Sequence, residues 1–567
     1  MKIRTLIYSA CLLATSTLYM SCNRDFPEVK PTDKFEQNIL LSDSLVFEAY
    51  VVNRYIGARL QDKEGDGTDP GFGRGFEYSM WSSITDESIY NNDDNTWLIQ
   101  KGQLAPENVG MAGTIWPRSY RSIREVNFAL NGLAQLTISE PHRQWLKGEL
   151  QFIRAFRYHD LIRNYGGVVL MGDRVLELSD NLQNDSLFTR ATLKESIDYT
   201  VAQLDQAAAL LPATNGSNWA LGRATKGAAL ALKARLLLYG ASPLYNTNTW
   251  AAAADAAQAV IGLNQYSIFQ GGYDKMFPAT EGNPEIIFAR LYTRNANHTH
   301  LEIANGPNGY GGWGGNLPLQ NLVDDYAMAA TGKPITDPTS GYSAANPYVG
   351  RDPRFYYTIL YNGASYRGST VETFTPGGKD SKDGTDNWNT SKTGYYLKKF
   401  MNDAYPLQNP WGNAGFQPWI YMRYAEVLLN YAEAANEAYG PDVVPAGATL
   451  SARAALNLVR ARTGVNMPAI AAGTSQSQLR DAVRYERRVE LAFEEFRFYD
   501  VRRWMIADVT ENKPANGITI NKVGNTFTYT TKVALDGRSF LKKHYWLPIP
   551  RAEILASSNK LKQNEDY

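Results

Sequence analysis

Residues 484–504, RYERRVELAFEEFRFYDVRRW, decide the fold. The spacing predicts one helix through the stretch: Ala482, Tyr485, Val489, Ala492, Phe493 and Phe496 recur at the helical period on one face, and Glu486, Glu490 and Glu494 form a column beside it. Leu491 and Phe498 fall on the far side, so this helix is apolar on two sides and belongs in the interior. Arg484, Arg487, Arg488, Arg497 and the carboxylates must then pair with one another or with backbone ends. Paired carboxylates could serve acid–base chemistry, but no histidine, cysteine or nucleophile signature lies near them to share it. The structural reading is a buried ion-pair lattice that clamps neighbouring helices, with Glu490 set against Arg487 or Arg488.

Helix signals recur outward from this stretch. Helices are expected over 43–59, 116–136 and 141–165, the last closed by Gly166, and Thr192 with Glu195 has the capping-box spacing for a helix that Pro212 stops. Further helices end at Gly240, Gly262, Gly440 and Gly464. Helix, glycine stop, short connection and helix again is the pattern of stacked helical hairpins, although no clean tetratricopeptide consensus occurs. Between 265 and 417 the character changes to Gly, Pro, Asn, Tyr and Trp with short β-like runs such as 285–292, an insertion too aromatic to read as disordered. The expected class is therefore mostly α: a helical-hairpin solenoid carrying a long loop-rich insertion with short strands.

Met1-Lys2-Ile3-Arg4 followed by an apolar stretch to Met20 reads as a signal peptide over 1–21, cut before Cys22. Cys11 leaves with the signal, so the mature chain has no second thiol for a disulfide or a cysteine-ligated zinc. A single terminal cysteine on an exported chain points to lipidation of Cys22, with residues 22–40 as its tether. The remainder, 41–567, reads as one domain, with the scaffold in 41–264 and 418–567 and the insertion in 265–417. Lys+Arg 57 against Asp+Glu 57 leaves no net charge to draw in nucleic acid or an anionic surface over long range.

The motifs for chemistry are thin. Residues 309–314 match GxGxxG literally, but Tyr310 and Trp313 are too bulky for a pyrophosphate turn, so the loop displays two aromatic rings instead. Asp62, Glu64 and Asp66 begin like a calcium loop whose twelfth position is Gly73, and His298 with His300 lacks a third metal ligand. No GxSxG, HExxH or P-loop occurs, and carboxylate pairs such as Asp86-Glu87 or Asp324-Asp325 single out no catalytic couple. What remains is an aromatic constellation suited to sugar rings: Trp81, Trp97, Tyr310 and Trp313, with Asn95 and Tyr292. The loops that carry Trp81, Trp97, Tyr310 and Trp313 are expected to meet on one face, with Trp388, Trp411 and Trp419 as second choices. Trp116, Trp145, Trp250 and Trp504 fall in helical patterns and are assigned to the core.

The opening stretch closely resembles the C-terminal signature of the SusD/RagB family, surface nutrient-binding lipoproteins of Gram-negative bacteria. Segments 148–170 (GELQFIRAFRYHDLIRNYGGVVL), 223–245 (RATKGAALALKARLLLYGASPLY), 421–440 (YMRYAEVLLNYAEAANEAYG) and 547–567 (LPIPRAEILASSNKLKQNEDY) resemble it as well, in family order. The ending Gln563-Asn564-Glu565-Asp566-Tyr567 departs from the usual QNPGY. The resemblance implies a tetratricopeptide-like scaffold, binding of oligo- or polysaccharide without turnover or cofactor, and a surface-exposed, lipid-anchored place on the outer membrane. It also implies delivery of the glycan to a SusC-like TonB-dependent transporter. A glycan-active enzyme and an adhesive surface protein are the other function classes left open.

Overall fold

A computed structural model describes residues 37–55, 79–93, 95–177, 179–279, 282–293, 301–405, 407 and 415–567. Cys22 with its signal, the Asp62–Glu64–Asp66 loop, the His298/His300 pair and Trp411 lie outside the described residues. The scaffold helices are α1 (Ser44–Asn53), α2 (Ile115–Gly132), α3 (Glu140–Tyr165), α4 (Leu193–Leu210), α5 (Lys226–Ala241), α6 (Trp250–Ile261), α7 (Tyr424–Tyr439), α8 (Ala452–Arg460), α9 (Gln476–Glu490) and α10 (Arg497–Arg503). Each of α2 to α6 packs on the next, α6 packs on α7, and α7 receives both α8 and α9. This is the tetratricopeptide-like stacking of helical hairpins.

Local chemistry sets the helix ends. The Thr192 hydroxyl accepts the Glu195 amide at 3.2 Å while the Glu195 carboxylate accepts the Thr192 amide at 2.8 Å, the reciprocal cap its spacing predicts. Gly148 lets α3 lie close on α4, since a Cβ there would sit 2.9 Å from Leu210 Cβ. Several boundaries differ from expectation: α2 gives way at Gly132 to a 3-10 turn over Leu133–Gln135, and α5 runs past Gly240 to Ala241. α1 is helical to Asn53, and α8 stops at Arg460, short of Gly464.

The larger correction concerns the helix expected over 484–504, which is two helices separated by a turn. α9 ends at Glu490, and Phe493 (φ 63°) and Glu495 (φ 67°) take left-handed backbone before α10 begins. The carbonyls at the end of α9 are satisfied by buried donors from elsewhere, in place of another turn of helix. Lys399 Nζ reaches the carbonyl oxygens of Glu490 (3.2 Å) and Ala492 (2.7 Å), while Arg423 Nη2 (3.0 Å) and the Tyr273 hydroxyl (2.7 Å) also donate to Glu490 O.

The ion-pair lattice is present, with partners the local sequence did not suggest. Glu490 accepts Arg423 (2.8 Å), Arg462 (2.8 Å) and Arg354 (2.9 Å); Glu486 accepts Arg354 (2.5 Å) and Arg460 (2.6 Å); Glu494 accepts Arg423 and Lys399, each at 2.7 Å. Arg487 goes instead to Asp500 (2.9 Å) and Asn430 (2.7 Å), and Arg488 to Asp86 (2.8 Å) and Asp325 (2.9 Å). Burial pushes the Glu490 carboxyl up, but the surrounding guanidiniums of Arg462, Arg423 and Arg354 outweigh it and hold the group far below the usual carboxylate range.

Strands do the remaining joining. β2 (Ile286–Arg290) pairs antiparallel with β4 (Trp419–Arg423), Arg290 opposite Trp419, so residues 291–418 leave and re-enter the scaffold side by side. β1 (Ser88–Tyr90) pairs antiparallel with β3 (Asn316–Pro318). β5 (Ala515–Val523) and β6 (Thr526–Leu535) form a long hairpin inside the region expected to be helical. Alternation in ITINKV and TFTYTTKV around Gly524-Asn525 carries that hairpin in the sequence.

Candidate functional site

The two loops expected to meet do so through the β1–β3 pair. Ser88 stands opposite Pro318 and Tyr90 opposite Asn316, and the ladder continues with Asn91 N–H donating to Gly315 O at 2.8 Å. Gly315 is required there, because a Cβ would lie 2.5 Å from Ala304 O and 2.9 Å from the Tyr90 ring. Asn316 locks the junction: its Oδ1 accepts the Met80 amide (2.9 Å) and the Ser83 hydroxyl (2.7 Å), and its Nδ2 donates to Asn305 Oδ1 (2.8 Å). Ile89, Leu317, Leu319, Leu360, Tyr366 and Tyr396 form a hydrophobic cluster of their own beneath it, and Trp97 and Tyr310 pack half-buried on that cluster.

Trp97 is oriented by two bonds, its indole N–H to Tyr90 O (3.1 Å) and its amide to Asp93 Oδ1 (2.8 Å). Lys392 Nζ lies 4.4 Å from the centre of its ring. Tyr310 stands edge-on to Tyr366 at 5.0 Å, its hydroxyl is 2.6 Å from Ser369 Oγ, and Lys379 Nζ lies 4.4 Å above its ring. Trp313 is half-buried beside them in sequence, its amide donating to Ile303 O at 2.6 Å, and Asn95 is exposed with φ 59°. GxGxxG is here a single 3-10 turn, Asn308–Tyr310, that leads into a strand; Gly312 crosses Gly306 so closely that a Cβ would sit 2.1 Å from its carbonyl oxygen. These glycines serve backbone crossing, and the strand-then-helix order of a dinucleotide site is absent there.

A third loop joins the face. Trp388 sits on the turn Asn387–Asn389 with 70% of its surface exposed, the most exposed aromatic among the described residues. Asn91 Nδ2 donates to Thr390 O (3.2 Å), Lys392 donates to Asn91 O, and Asn308 Nδ2 donates to Thr385 O (2.8 Å), tying this loop to both others. Asp380 fastens the same join, accepting the Gly309 amide (3.2 Å) and the Glu372 amide (2.8 Å), with burial pushing its carboxyl up to about 6. Trp388 stood only among the second choices in sequence. Its signal was an indole in DGTDNWNT, with no apolar partner at helix or strand spacing to bury it.

Two expected site residues are core instead. Trp81 is 3% exposed and packs on Phe498 (4.7 Å) and Tyr499 (6.0 Å), where it wedges the turn Trp81–Ser83 against α10. Tyr292 is 8% exposed in the main core, with the Arg290 guanidinium 4.6 Å over its ring. Trp419, a second choice, is buried in β4. Trp116 and Trp504 are buried and Trp145 and Trp250 pack against the core, as their helical spacing predicts.

The Asp86-Glu87 pair has split titration, which acid–base sites exploit. Burial pushes both up; Arg488 and Arg497 overcome it at Asp86 and hold that carboxyl well below its usual range, while Glu87 is left at about 7. Both side chains are buried, and Glu87 accepts the Phe493 amide at 3.3 Å, so the pair braces the turn after α9. Among the described residues no group of three or more His, Cys, Asp or Glu side chains is placed to hold a metal.

The chain is thus a stacked-hairpin scaffold whose loops bearing Trp97, Tyr310, Trp313 and Trp388 are bonded to one another. Residues 284–567 match the SusD family model, and residues 64–238 match a second model described as starch-binding, associating with the outer membrane. The chain belongs to the SusD family. It is 26% identical over 526 residues to SusD-like protein P2 of Formosa agariphila, covering 86% of this chain and 90% of that one. Among solved structures it resembles a SusD-like protein from Bacteroides fragilis NCTC 9343 (29% identity, TM-score 0.76, 95% of this chain and 100% of the other). It also resembles a SusD-like carbohydrate-binding protein of the same strain (25% identity, TM-score 0.75, 92% and 99%).

Proposed function

We propose that the protein is a non-catalytic glycan-binding lipoprotein of the outer-membrane surface that hands oligosaccharides to a SusC-like TonB-dependent transporter. The observation that supports this reading is the joining of three aromatic-bearing loops: Trp97, Tyr310, Trp313 and Trp388 lie on loops linked by backbone and amide bonds, with Asn95 exposed two residues before Trp97. Sugar rings offer apolar C–H faces rimmed by hydroxyls, and aromatic rings beside amides match both parts. Preorganised rings lose little freedom on binding, which favours affinity without any moving part. The carbohydrate-binding relative from Bacteroides fragilis, similar along nearly its whole length, supports the same ligand class. The outer-membrane description of the family model supports the location, and the signal-then-Cys22 sequence pattern supports a lipid anchor there.

A glycan array followed by calorimetry on the bound class tests this reading. Saturable binding with no cleavage products on prolonged incubation is the expected result. Product release would move the protein to the enzymes, and failure of every glycan to bind or to raise the melting temperature would remove the ligand class altogether.

A further inference from the structure

Resting on that reading, the geometry points to an anionic ligand: we infer that these loops take a glycan bearing uronate carboxylates or sulfate esters, received by the ammonium groups of Lys379 and Lys392. Each lysine lies over one of the aromatic rings, Lys379 over Tyr310 and Lys392 over Trp97, both 4.4 Å from the ring centre. Neither forms an ion pair with a carboxylate among the described residues. Lys379 donates to Ser369 Oγ (2.8 Å) and the Tyr310 hydroxyl (3.2 Å), and Lys392 donates to Asn91 O.

The nearby acids are fixed by backbone amides and act on the two ammonium groups only through space, Asp93 on Lys392 and Asp380 on Lys379. Asp93 takes the Trp97 amide (2.8 Å), Asp380 takes the Gly309 and Glu372 amides, and Asp383 takes the Gly377 amide (3.1 Å). Lys101 adds a further ammonium 5.7 Å from the Trp97 ring centre, loosely facing Asp536 at 4.0 Å.

Donor arithmetic then decides what is left for a ligand. An ammonium has three N–H donors and no acceptor, so Lys392 keeps two and Lys379 keeps one after these bonds. Lys392 is exposed, its amine held below its ordinary range by partial burial with Asp93 partly countering it, so the ammonium stands open to a ligand without a direct ion-pair partner. An oxyanion placed there gains a charge-assisted hydrogen bond while its sugar ring lies against the indole or phenol. The chain's zero net charge offers no long-range pull, so this recognition is local and falls off with salt.

Calorimetry of the full mature chain with oligogalacturonides, sulfated galactan oligomers and neutral gluco-oligosaccharides separates the cases, the first two distinguishing carboxylate from sulfate. The expected result is binding of one anionic class that weakens with added salt. Lys392→Met and Lys379→Met should each weaken it about tenfold or more, with the melting transition still cooperative and only slightly lowered by loss of the Lys392 bond to Asn91 O, and Lys392→Arg retaining most of the binding. Binding of neutral glycans alone, unchanged in both methionine variants, overturns the anionic assignment and leaves the glycan reading standing. No binding in any of the three classes, nor on the array, overturns both.

Discussion

Arg423 holds Glu490 twice, its Nη1 donating to the carboxylate Oε1 at 2.8 Å and its Nη2 to the same residue's carbonyl oxygen at 3.0 Å. One guanidinium thus both neutralises the side chain and caps the helix that carries it. Glu490→Gln should leave Arg462, Arg423 and Arg354 short of a counter-charge and destabilise the fold by about 3–5 kcal/mol. Chemical denaturation reads this. Any loss of ligand affinity should follow the unfolded fraction, and a variant that melts normally while losing binding would contradict the structural role.

Glu87 supplies a pH signature. Its carboxyl keeps its proton to about 7 when folded, against an ordinary value near 4.5, so its contribution to stability is complete below that ordinary value and lost as pH rises through about 7. Glu87→Gln should therefore be nearly neutral at pH 4.5 and stabilising at pH 8, by on the order of 3 kcal/mol. Denaturation midpoints at the two pH values measure it. A variant equally or less stable than wild type at pH 8 would refute the ionisation assigned to Glu87.

The tryptophans should sort into two kinds. Trp97→Ala, Trp313→Ala and Trp388→Ala should each weaken glycan binding about tenfold or more, corresponding to roughly 1.4 kcal/mol, with melting unchanged for exposed Trp388 and still cooperative, though lowered, for half-buried Trp97 and Trp313. Trp81→Ala should instead destabilise the fold by about 3–5 kcal/mol through the cavity it leaves against Phe498 and Tyr499. Melting curves and calorimetry on the same four variants settle the division.

Anchoring is a separate matter of Cys22. Cys22→Ala, expressed in cells without SusC-like transporters, should move the mature protein from the membrane pellet to the soluble fraction. Persistent membrane partition under those conditions would rule out the lipid as the anchor.

Helices were legible wherever a local cap and a long apolar period coincide, as at Thr192 with Glu195 and along Glu140–Tyr165. The break after Glu490 was not, because its cause is remote: Lys399 and Arg423 arrive from other parts of the chain to take the carbonyls a further turn would have used. The same remoteness hid the partners of Glu490, which come from Arg354, Arg423 and Arg462 and not from the adjacent Arg487 and Arg488. Meeting of the two aromatic loops was anticipated, but which rings stay exposed was not. Trp81 and Trp97 sit in similar polar sequence, and only the packing of α10 over one of them tells them apart. The β5–β6 hairpin carries its alternation in the sequence, but short alternating runs set among helical segments weigh less than the helical period around them.

The short β2–β4 pair has an evolutionary consequence. Arg290 and Trp419 face each other across a strand pair, about 5 Å apart, so the scaffold sees the whole of residues 291–418 as a loop whose two ends already touch. Closure entropy grows only with the logarithm of loop length, roughly 0.6 kcal/mol per doubling, so the parts of this excursion away from Arg354 and Lys399, which are tied into the Glu490 lattice, can lengthen or shorten with little entropic penalty. Recognition can therefore change through surface turns such as Asn387–Asn389, which carries Trp388, while a transplant cut at these two positions has to keep Arg354 and Lys399 to leave the helices their partners.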